Sequence, residues 1–254
     1  MFSRYFDDID SYSSDDGAHL DVPFVPTEEF VVDAMLELAN VGPKDVLYDL
    51  GSGDGRILVS AAREFGTRGV GIDIDPQRIA EAFEYAELSQ VENLVDFVEG
   101  DIFTADFGDA SAVTLYLLQS INEQLRPRLL SELRPGSRVV SHAFDMGDWK
   151  PDDSRKVGNV NIYKWIIPAN VAGIWEWERS GKSYRIDLQQ SYQEVFGDAW
   201  VNEQSARLKS ADLRGRRLVV EIQESESAHP DCFSIEFANG RMRSITANRQ
   251  PRSV

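Results

Sequence analysis

A glycine-rich segment at residues 48–56, YDLGSGDGR, is the clearest chemical signal in the sequence. It follows a short apolar run and precedes a helical pattern, so it predicts a tight strand-to-helix turn. Gly51 and Gly53 let the backbone bend sharply and let a ligand approach to van der Waals distance, and Gly55 permits close packing of the helix on the strand. We therefore expect a small-molecule ligand at the carboxyl end of this first strand.

The charges around the turn indicate the kind of ligand. A dinucleotide-binding turn reads G-x-G-x-x-G and offers backbone amides to an anionic pyrophosphate. Here the third glycine comes one residue early, and carboxylates stand at Asp49 and Asp54. This arrangement suits a cation, because a carboxylate at Asp49 would stabilise the sulfonium and ammonium groups of S-adenosylmethionine. Nicotinamide-dependent redox chemistry is disfavoured for the same reason.

Two further aspartates follow the next two predicted strands. Asp73 is placed to accept hydrogen bonds from ribose hydroxyls, and Asp101 is placed to accept one from the adenine amine, with Ile102 covering the ring. Each acid alone has an ordinary structural explanation as a turn former or a solvated cap. Their joint placement after three successive strands favours a ligand site.

Short apolar runs predict the strands that carry these residues. Strands that alternate with amphipathic helices indicate an α/β fold with a doubly wound, mainly parallel sheet. After about residue 168 the helical period disappears, and alternating runs predict an antiparallel β module. The runs predicted as strands are VLYDL, GVGIDI, DFVEGD, AVTLYLL, RVVSHAF and YKWIIP in the first part, and GIWEWER, SYRIDLQ, LVVEIQES and FSIEFANG in the second.

Helix-start and helix-stop signals lie between these strands. Thr27 is a plausible N-cap for a first helix that stops at Gly42, with Phe30 on its buried face. A second helix stops at Gly66, and a third begins at Asp75 as N-cap with proline at the first helical position.

The chain divides into three predicted segments. Residues 1–22 are acidic and rich in serine, which is typical of a flexible arm or a lid. Residues 23–168 form the predicted cofactor-binding domain, and residues 169–254 form the predicted β-rich accessory domain.

Composition excludes several classes of protein and partner. The formal charge of −17, from 43 acidic and 26 basic residues, repels phosphate backbones, so we expect no nucleic-acid partner. Adaptation to salt explains such a charge equally well. No run approaches the ~20 apolar residues of a membrane span, and the first residues lack the apolar core of a signal peptide, which favours a cytoplasmic location. The three histidines and Cys232 show no metal-ligand spacing, so no metal is expected.

The segments DLGSGDGR, GIDIDP, EGD and VTLYLL resemble those of the class I S-adenosylmethionine-dependent methyltransferases. The segment PFVPT ahead of the first helix makes the chain similar to a bacterial branch related to the mitochondrial lysine methyltransferases of the ATP-synthase c-subunit and the adenine nucleotide translocase. The resemblance covers about residues 22–168. It implies a Rossmann-like, seven-stranded sheet whose last strand is reversed.

The resemblance also implies roles for individual residues in binding S-adenosylmethionine. It assigns Asp73 to the ribose, and Asp101 with Ile102 to the adenine. Thr27 would touch the methionine carboxylate, or would serve only as the helix cap described above. The residues assigned to the methionine part are Asp49, Gly51, Ser52 and Gly53.

The methyl acceptor is the least determined part of the prediction. Methyltransferases of nucleobases and glutamine carry an Asn/Asp-Pro-Pro-Tyr/Phe segment after the fourth strand, whereas this chain reads LYLLQ at residues 115–119. We therefore predict a protein lysine acceptor, on resemblance alone, with a small metabolite or a non-catalytic cofactor-binding module as alternatives. His142 is either a base or a hydrogen-bonded strand end. The residues expected near the acceptor pocket are Tyr116, Gln119, Asn122, His142 and Asp145.

Overall fold

The computed structural model describes residues 25–247. These residues form two compact units. The first unit contains residues 25–134 and 138–165, and the second contains residues 135–137 and 166–247. The arm or lid predicted for residues 1–22 lies outside the described residues.

The first unit is built around a mixed, mostly parallel sheet, as the sequence predicts. Its seven strands lie in the order β3-β2-β1-β4-β5-β7-β6, and β1 to β5 run parallel to one another. The strand β7 runs antiparallel to its neighbour β5, as two hydrogen bonds show. The Ala143 N–H donates to the Asn161 carbonyl, and the Ile167 N–H donates to the Ser137 carbonyl. The elements are α1 (Glu29–Ala39), β1 (Val46–Leu50), α2 (Arg56–Phe65), β2 (Arg68–Asp73), α3 (Pro76–Leu88), β3 (Val95–Glu99), β4 (Ala112–Leu115), α4 (Gln119–Glu132), β5 (Arg138–His142), β6 (Asp153–Val157) and β7 (Val160–Ile166).

The order of strands places the predicted ligand residues at one edge. The first crossover joins β1 to β2 on one side, and β4 lies on the other side of β1. The strand order therefore reverses between β1 and β4, and the carboxyl ends of β2 and β3 lie along the same edge of the sheet. In open α/β sheets, ligands bind in the crevice at this position.

Two helix signals of the sequence are confirmed. The Asp75 side chain accepts a hydrogen bond from the Gln77 N–H at 2.8 Å, so it caps α3 as predicted. Gly66 ends α2 in the left-handed conformation with φ 63°. Glycine adopts this conformation without the steric cost that a Cβ atom brings.

The prediction for α1 was wrong at both ends. The helix begins at Glu29 after Glu28, and it ends at Ala39 with Asn40 in the left-handed conformation, before Gly42 is reached. Thr27 therefore does not cap it. Phe30 is 51% exposed rather than buried, because the buried stripe of α1 begins with the next residue, Val31.

The second unit is one antiparallel sheet with its own core. Its seven strands pair in chain order, and their inner faces enclose a cluster in which Trp175 packs edge-on against Phe237 and Trp177 stacks on Tyr184. The two tryptophans thus belong to a packed core. The strands are β8 (Gly173–Arg179), β9 (Lys182–Ser191), β10 (Glu194–Val201), β11 (Gln204–Arg214), β12 (Arg217–Gln223), β13 (Asp231–Ala238) and β14 (Arg241–Ala247).

The sequence patterns missed four strands, β6, β10, β11 and β14. The first four of the five residues of β6 are exposed, and β11 has one buried position. Strands with so few buried positions show no apolar alternation, which is the signal used to predict a strand. In β10, Gly197 and a register shift in the pairing with β11 interrupt the pattern as well.

Within residues 25–247, none of the helices has the length and apolar character needed to cross a membrane. The cytoplasmic location stays a prediction.

Candidate functional site

The glycine turn adopts the bend that its sequence predicts. Gly51, Gly53 and Gly55 have φ values of 81°, 51° and 75°, which favour glycine. A Cβ atom at Gly55 would lie 2.6 Å from the Phe97 ring, and one at Gly51 would lie 2.9 Å from the Leu117 side chain. Glycine is therefore required at these positions by the backbone conformation, and at Gly51 and Gly55 also by the neighbouring side chains.

A cavity opens directly beside this turn, at the carboxyl ends of β1 to β4. Its wall carries five aspartates and two arginines, so it is negatively charged. Gly53, Asn122 and His142, which were also predicted for the site, are not among the residues that line it. Among the residues predicted for the site, those that line the cavity are Thr27, Asp49, Gly51, Ser52, Asp73, Asp101, Ile102 and Tyr116.

Asp49 is the buried charge at the bottom of the cavity. Its side chain is 2% exposed and accepts a hydrogen bond from the Thr114 hydroxyl at 2.7 Å. Burial raises the pKa of Asp49 to about 7, the Thr114 hydrogen bond opposes this shift, and the charges of Asp73 and Asp54 add to it. A buried carboxylate with no cationic partner is costly, so this position favours a positively charged ligand.

Asp73 is oriented by backbone amides. Its Oδ2 accepts a hydrogen bond from the Gly53 N–H at 2.7 Å, and its Oδ1 accepts one from the Asp75 N–H at 3.0 Å. Each carboxylate oxygen has a further lone pair. Gly53 thus contributes to the site by fixing the Asp73 carboxylate, which remains able to accept hydrogen bonds from a ligand.

Asp101 and Ile102 lie in the loop after β3. The Asp101 carboxylate is exposed, and its Oδ1 accepts a hydrogen bond from the Phe103 N–H at 2.8 Å, which closes a local turn. Arg128 on α4 donates to the carbonyls of Ile102 and Ala105 at 3.0 and 2.7 Å. The loop is therefore held by its own turn and by a side chain from α4.

Tyr116 and His142 form a ring stack beside the turn, and Thr27 contacts the His142 ring through its hydroxyl. The Tyr116 and His142 rings are parallel to within 27°, with centroids 3.8 Å apart. Thr27 Oγ1 lies 3.3 Å from His142 Nδ1. Burial lowers the pKa of His142 to about 4, so the imidazole is neutral at pH 7. The Tyr116 ring and the imidazole behind it are therefore uncharged at neutral pH.

Asn122 lies on α4 and does not line the cavity. Its side-chain amide nitrogen donates to Ser141 Oγ at 3.1 Å and to the carbonyls of Phe144 and Asp145 at 3.3 and 3.2 Å. It therefore ties the chain after β5 to α4. Gln119 and Asp145, which the sequence placed near the acceptor pocket, are not part of the cavity wall either.

The sequence patterns did not identify two arginines that shape the site. Arg56 donates to the Thr27 carbonyl at 2.9 Å and to Asp54 through Nε at 2.9 Å. Arg128 holds the loop after β3 as described above. Arg56 was visible as the last residue of the glycine motif, but its partner is 29 positions away in sequence. Only the folded chain brings them together.

The described part of the chain contains no group of three or more His, Cys, Asp or Glu side chains arranged to hold a metal ion.

Comparison with known proteins places the chain in a family. The family model described as the ANTKMT methyltransferase domain matches residues 49–153. A protein-lysine N-methyltransferase of Saccharolobus islandicus is 45% identical over 151 residues, which covers 58% of this chain and 94% of that relative. The chain belongs to the class I S-adenosylmethionine-dependent methyltransferases. Its cofactor is S-adenosylmethionine.

Two further relatives extend the comparison for this methyltransferase. The ATP synthase c-subunit lysine N-methyltransferase of Mus musculus is 29% identical over 150 residues, which covers 58% of this chain and 59% of that protein. A crystal structure of an RNA methyltransferase from Salinibacter ruber in complex with S-adenosyl-L-homocysteine is 54% identical and superposes with a TM-score of 0.57. The matched region covers 58% of this chain and 96% of the chain in that crystal structure. Both comparisons cover only part of this methyltransferase.

The cavity fits the cofactor on physical grounds. The wall is acidic, which suits a ligand with a sulfonium and an ammonium group. Ser52 also lines this wall, directly after the Gly51 backbone turn, which leaves room for the methionine part of the ligand beside the backbone.

Proposed function

We propose that this methyltransferase transfers the methyl group of S-adenosylmethionine to a lysine side chain of a protein. The observation that carries the proposal is the acidic cavity with the buried carboxylate of Asp49 on one side and the neutral stack of Tyr116 and His142 on the other. The relatives named as lysine methyltransferases support the choice of acceptor.

The glycine turn and its flanking residues would hold the methionine part of the cofactor. Asp49 would pair with the ammonium group, because a buried carboxylate gains most from a cationic partner. Thr27 would meet the carboxylate. The residues that form the turn beneath the methionine part are Gly51, Ser52 and Gly53.

The next two strands would supply the contacts to the rest of the cofactor. Asp73 would accept hydrogen bonds from the ribose hydroxyls. Asp101 and Ile102 would lie along the adenine.

When bound, S-adenosylmethionine supplies an electrophilic methyl group on a cationic sulfur. The protein must then bring an uncharged amine in line with that methyl group at near-contact distance. A lysine amine must first lose its proton, because the protonated form has no free lone pair. The uncharged Tyr116 ring, backed by the neutral His142, would favour the uncharged amine by excluding water from around it.

Tyr116 is the candidate that touches the acceptor, because it lines the cavity. His142 and Asn122 would act through other residues. His142 supports the Tyr116 ring, and Asn122 holds the chain that follows β5. The low pKa of His142 and its burial favour this positioning role over that of a general base.

We further propose the domain organisation 23–168 and 169–254, and a sheet wound on both faces. The separation of the two compact units near residue 165 supports the boundary. Helices α1, α2 and α3 share one core cluster, whereas the buried residues of α4 do not belong to that cluster, which supports helices on opposite faces. The β module would then restrict or recruit the acceptor.

An RNA acceptor is the second candidate, because a relative with 54% identity is described as an RNA methyltransferase. The charge of −17 opposes RNA binding, and the LYLLQ segment lacks the clamp typical of base methyltransferases. We therefore favour lysine.

The test is transfer of a labelled methyl group from the cofactor into a cell lysate divided into protein, RNA and small-molecule fractions. We expect label on protein that mass spectrometry locates to lysine. Label in RNA or in small molecules would overturn the acceptor assignment. Binding of S-adenosylhomocysteine without label in any fraction would show a cofactor-binding module without turnover.

A binding measurement on Asp73→Ala tests the cofactor site. Loss of the ribose hydrogen bonds is expected to weaken S-adenosylhomocysteine binding by about 1.5–3 kcal/mol in isothermal titration. Asp96→Ala is the matched control, because Asp96 is an exposed aspartate on β3 outside the cavity. Unchanged affinity in Asp73→Ala would contradict the assignment.

A further inference from the structure

Thr27 is held at both of its polar ends by residues of the same unit. Its carbonyl oxygen accepts a hydrogen bond from Arg56 Nη1 at 2.9 Å, and its hydroxyl lies 3.3 Å from His142 Nδ1. Thr27 is 4% exposed and lines the cavity. Arg56 thus fixes the backbone of Thr27, and His142 fixes the orientation of its hydroxyl.

Arg56 is itself fixed. It is the first residue of α2, directly after the glycine turn, and its Nε lies 2.9 and 3.2 Å from the two carboxylate oxygens of Asp54. This two-oxygen contact orients the planar guanidinium and aims Nη1 at the Thr27 carbonyl. The segment that carries Thr27 is thereby attached to the turn that carries the cofactor glycines.

His142 determines which way the Thr27 hydroxyl donates. His142 Nε2 is buried and has no hydrogen-bond partner within residues 25–247. A proton on Nε2 would leave a buried donor without an acceptor, which is rarer in proteins than an unsatisfied acceptor. The proton therefore belongs on Nδ1, where it donates to Thr27 Oγ1. Because Thr27 Oγ1 accepts this bond, its own O–H is free to donate into the cavity.

We propose that Arg56 and His142 are positioning residues that turn Thr27 into a hydrogen-bond donor for the carboxylate of the cofactor's methionine part. The proposal rests on the proposed function, because it takes the cavity as the cofactor site. It adds Arg56, which the sequence patterns did not single out, and it gives His142 a role toward the cofactor.

Two ligands that differ in one group test the proposal. S-Adenosylhomocysteine has the carboxylate, and its decarboxylated analogue keeps the ammonium and lacks only the carboxylate. In isothermal titration, Thr27→Val and Arg56→Lys are expected to weaken S-adenosylhomocysteine about tenfold, the usual effect of one hydrogen bond to a charged group. The same variants should change the affinity for the decarboxylated analogue by less than about twofold.

Control variants separate this role from a general structural one. Thr27→Ser keeps the hydroxyl and should retain the wild-type affinity for both ligands. Arg63→Lys alters another arginine of α2, which contacts Glu64 at the surface, and should also leave both affinities unchanged. An equal loss for both ligands, or no loss for either, would overturn the proposal. Where Arg56→Lys does not fold, the Thr27→Val and Thr27→Ser pair decides alone.

Nitrogen NMR of the His142 ring gives an independent readout. We expect the proton on Nδ1, and a proton on Nε2 would contradict the assigned direction of the Thr27 hydroxyl. Failure of the proposed function is distinguishable, because a protein that binds S-adenosylhomocysteine but transfers no methyl group to protein lysine would overturn the lysine assignment without altering the difference in affinity between the two ligands.

Discussion

The two sides of the cavity solve opposite electrostatic problems. Where we propose that the cofactor binds, carboxylates are held by hydrogen bonds from Thr114, Gly53 and neighbouring amides, and Asp49 is buried although this raises its pKa. On the other side, Tyr116 stacks on a neutral His142. A cationic donor is bound by negative charge, whereas an amine acceptor reacts only after its charge is lost. The difference predicts that variants of Asp49 change cofactor affinity and that variants of Tyr116 change turnover.

The largest expected effect on affinity is that of Asp49→Asn. The substitution keeps the shape and the contact with Thr114 but removes the charge, so S-adenosylhomocysteine binding should weaken by about 2–3 kcal/mol. Thermal stability should stay equal or rise, because a buried charge is removed. Isothermal titration and thermal unfolding measure both quantities.

Asp45→Asn is the matched control for that prediction. Asp45 pairs with Arg138 and accepts a hydrogen bond from Ser111, and it does not line the cavity. This variant should lose stability and keep cofactor affinity. If Asp49→Asn lost stability and kept its cofactor affinity, while Asp45→Asn lost affinity and kept its stability, Asp49 would be structural.

Tyr116→Ala tests the other side of the cavity. Removing the ring leaves the acceptor misaligned, and misplacement of about 1 Å reduces rates by up to about 100-fold, so we expect kcat to fall about 20-fold. The dissociation constant of S-adenosylhomocysteine should change less than about twofold. Single-turnover methyl transfer is the measurement, with Tyr116→Phe as the variant that keeps the stack. A loss of cofactor affinity equal to the loss of rate would remove the distinction between the two sides.

The pH dependence of cofactor binding follows from Asp49. Its pKa in the folded protein is about 7, above the ordinary value of 3.8, so at pH 6 most cofactor-free molecules carry a protonated Asp49. Binding a cation requires the carboxylate, and affinity should therefore fall by about an order of magnitude from pH 7.5 to pH 6. Asp49→Asn should abolish this dependence, and an unchanged profile in that variant would assign it to another group.

The raised pKa of Asp49 affects the stability of the folded protein in the opposite direction. A carboxyl group whose folded pKa lies above its unfolded value binds a proton more tightly in the folded state. Its contribution to stability is present below pH 3.8 and is lost as the pH rises through about 7. Cofactor binding and the stability of the cofactor-free protein thus respond to pH in opposite directions at this residue.

The smallest effect is expected for Asp101→Ala. Asp101 is exposed, so a hydrogen bond to the adenine amine competes with water, and affinity should change no more than about threefold. The measurement is the same titration used for Asp49. A loss as large as that of Asp49→Asn would show that the loop after β3 closes over the cofactor.

The two sides also differ in how far the sequence predicted them. That Asp49, Asp73 and Asp101 line one cavity was predictable because they follow successive strands, and the carboxyl ends of neighbouring parallel strands meet at one edge of a sheet. The arrangement around Tyr116, which we propose faces the acceptor, was less predictable. Asn122 and His142 were expected to line the acceptor pocket, and nothing in their spacing indicated that they do not line the cavity.

The sequence by itself determined the glycine turn, the order of acids along the strands and the mixed, mostly parallel sheet, because backbone sterics and hydrophobic periodicity act over short stretches of chain. Only the tertiary structure decided that Thr27 meets His142 and Arg56 instead of capping α1, and that burial raises the pKa of Asp49 and lowers that of His142. Those properties depend on contacts between distant residues and on the exclusion of water, which no local pattern encodes.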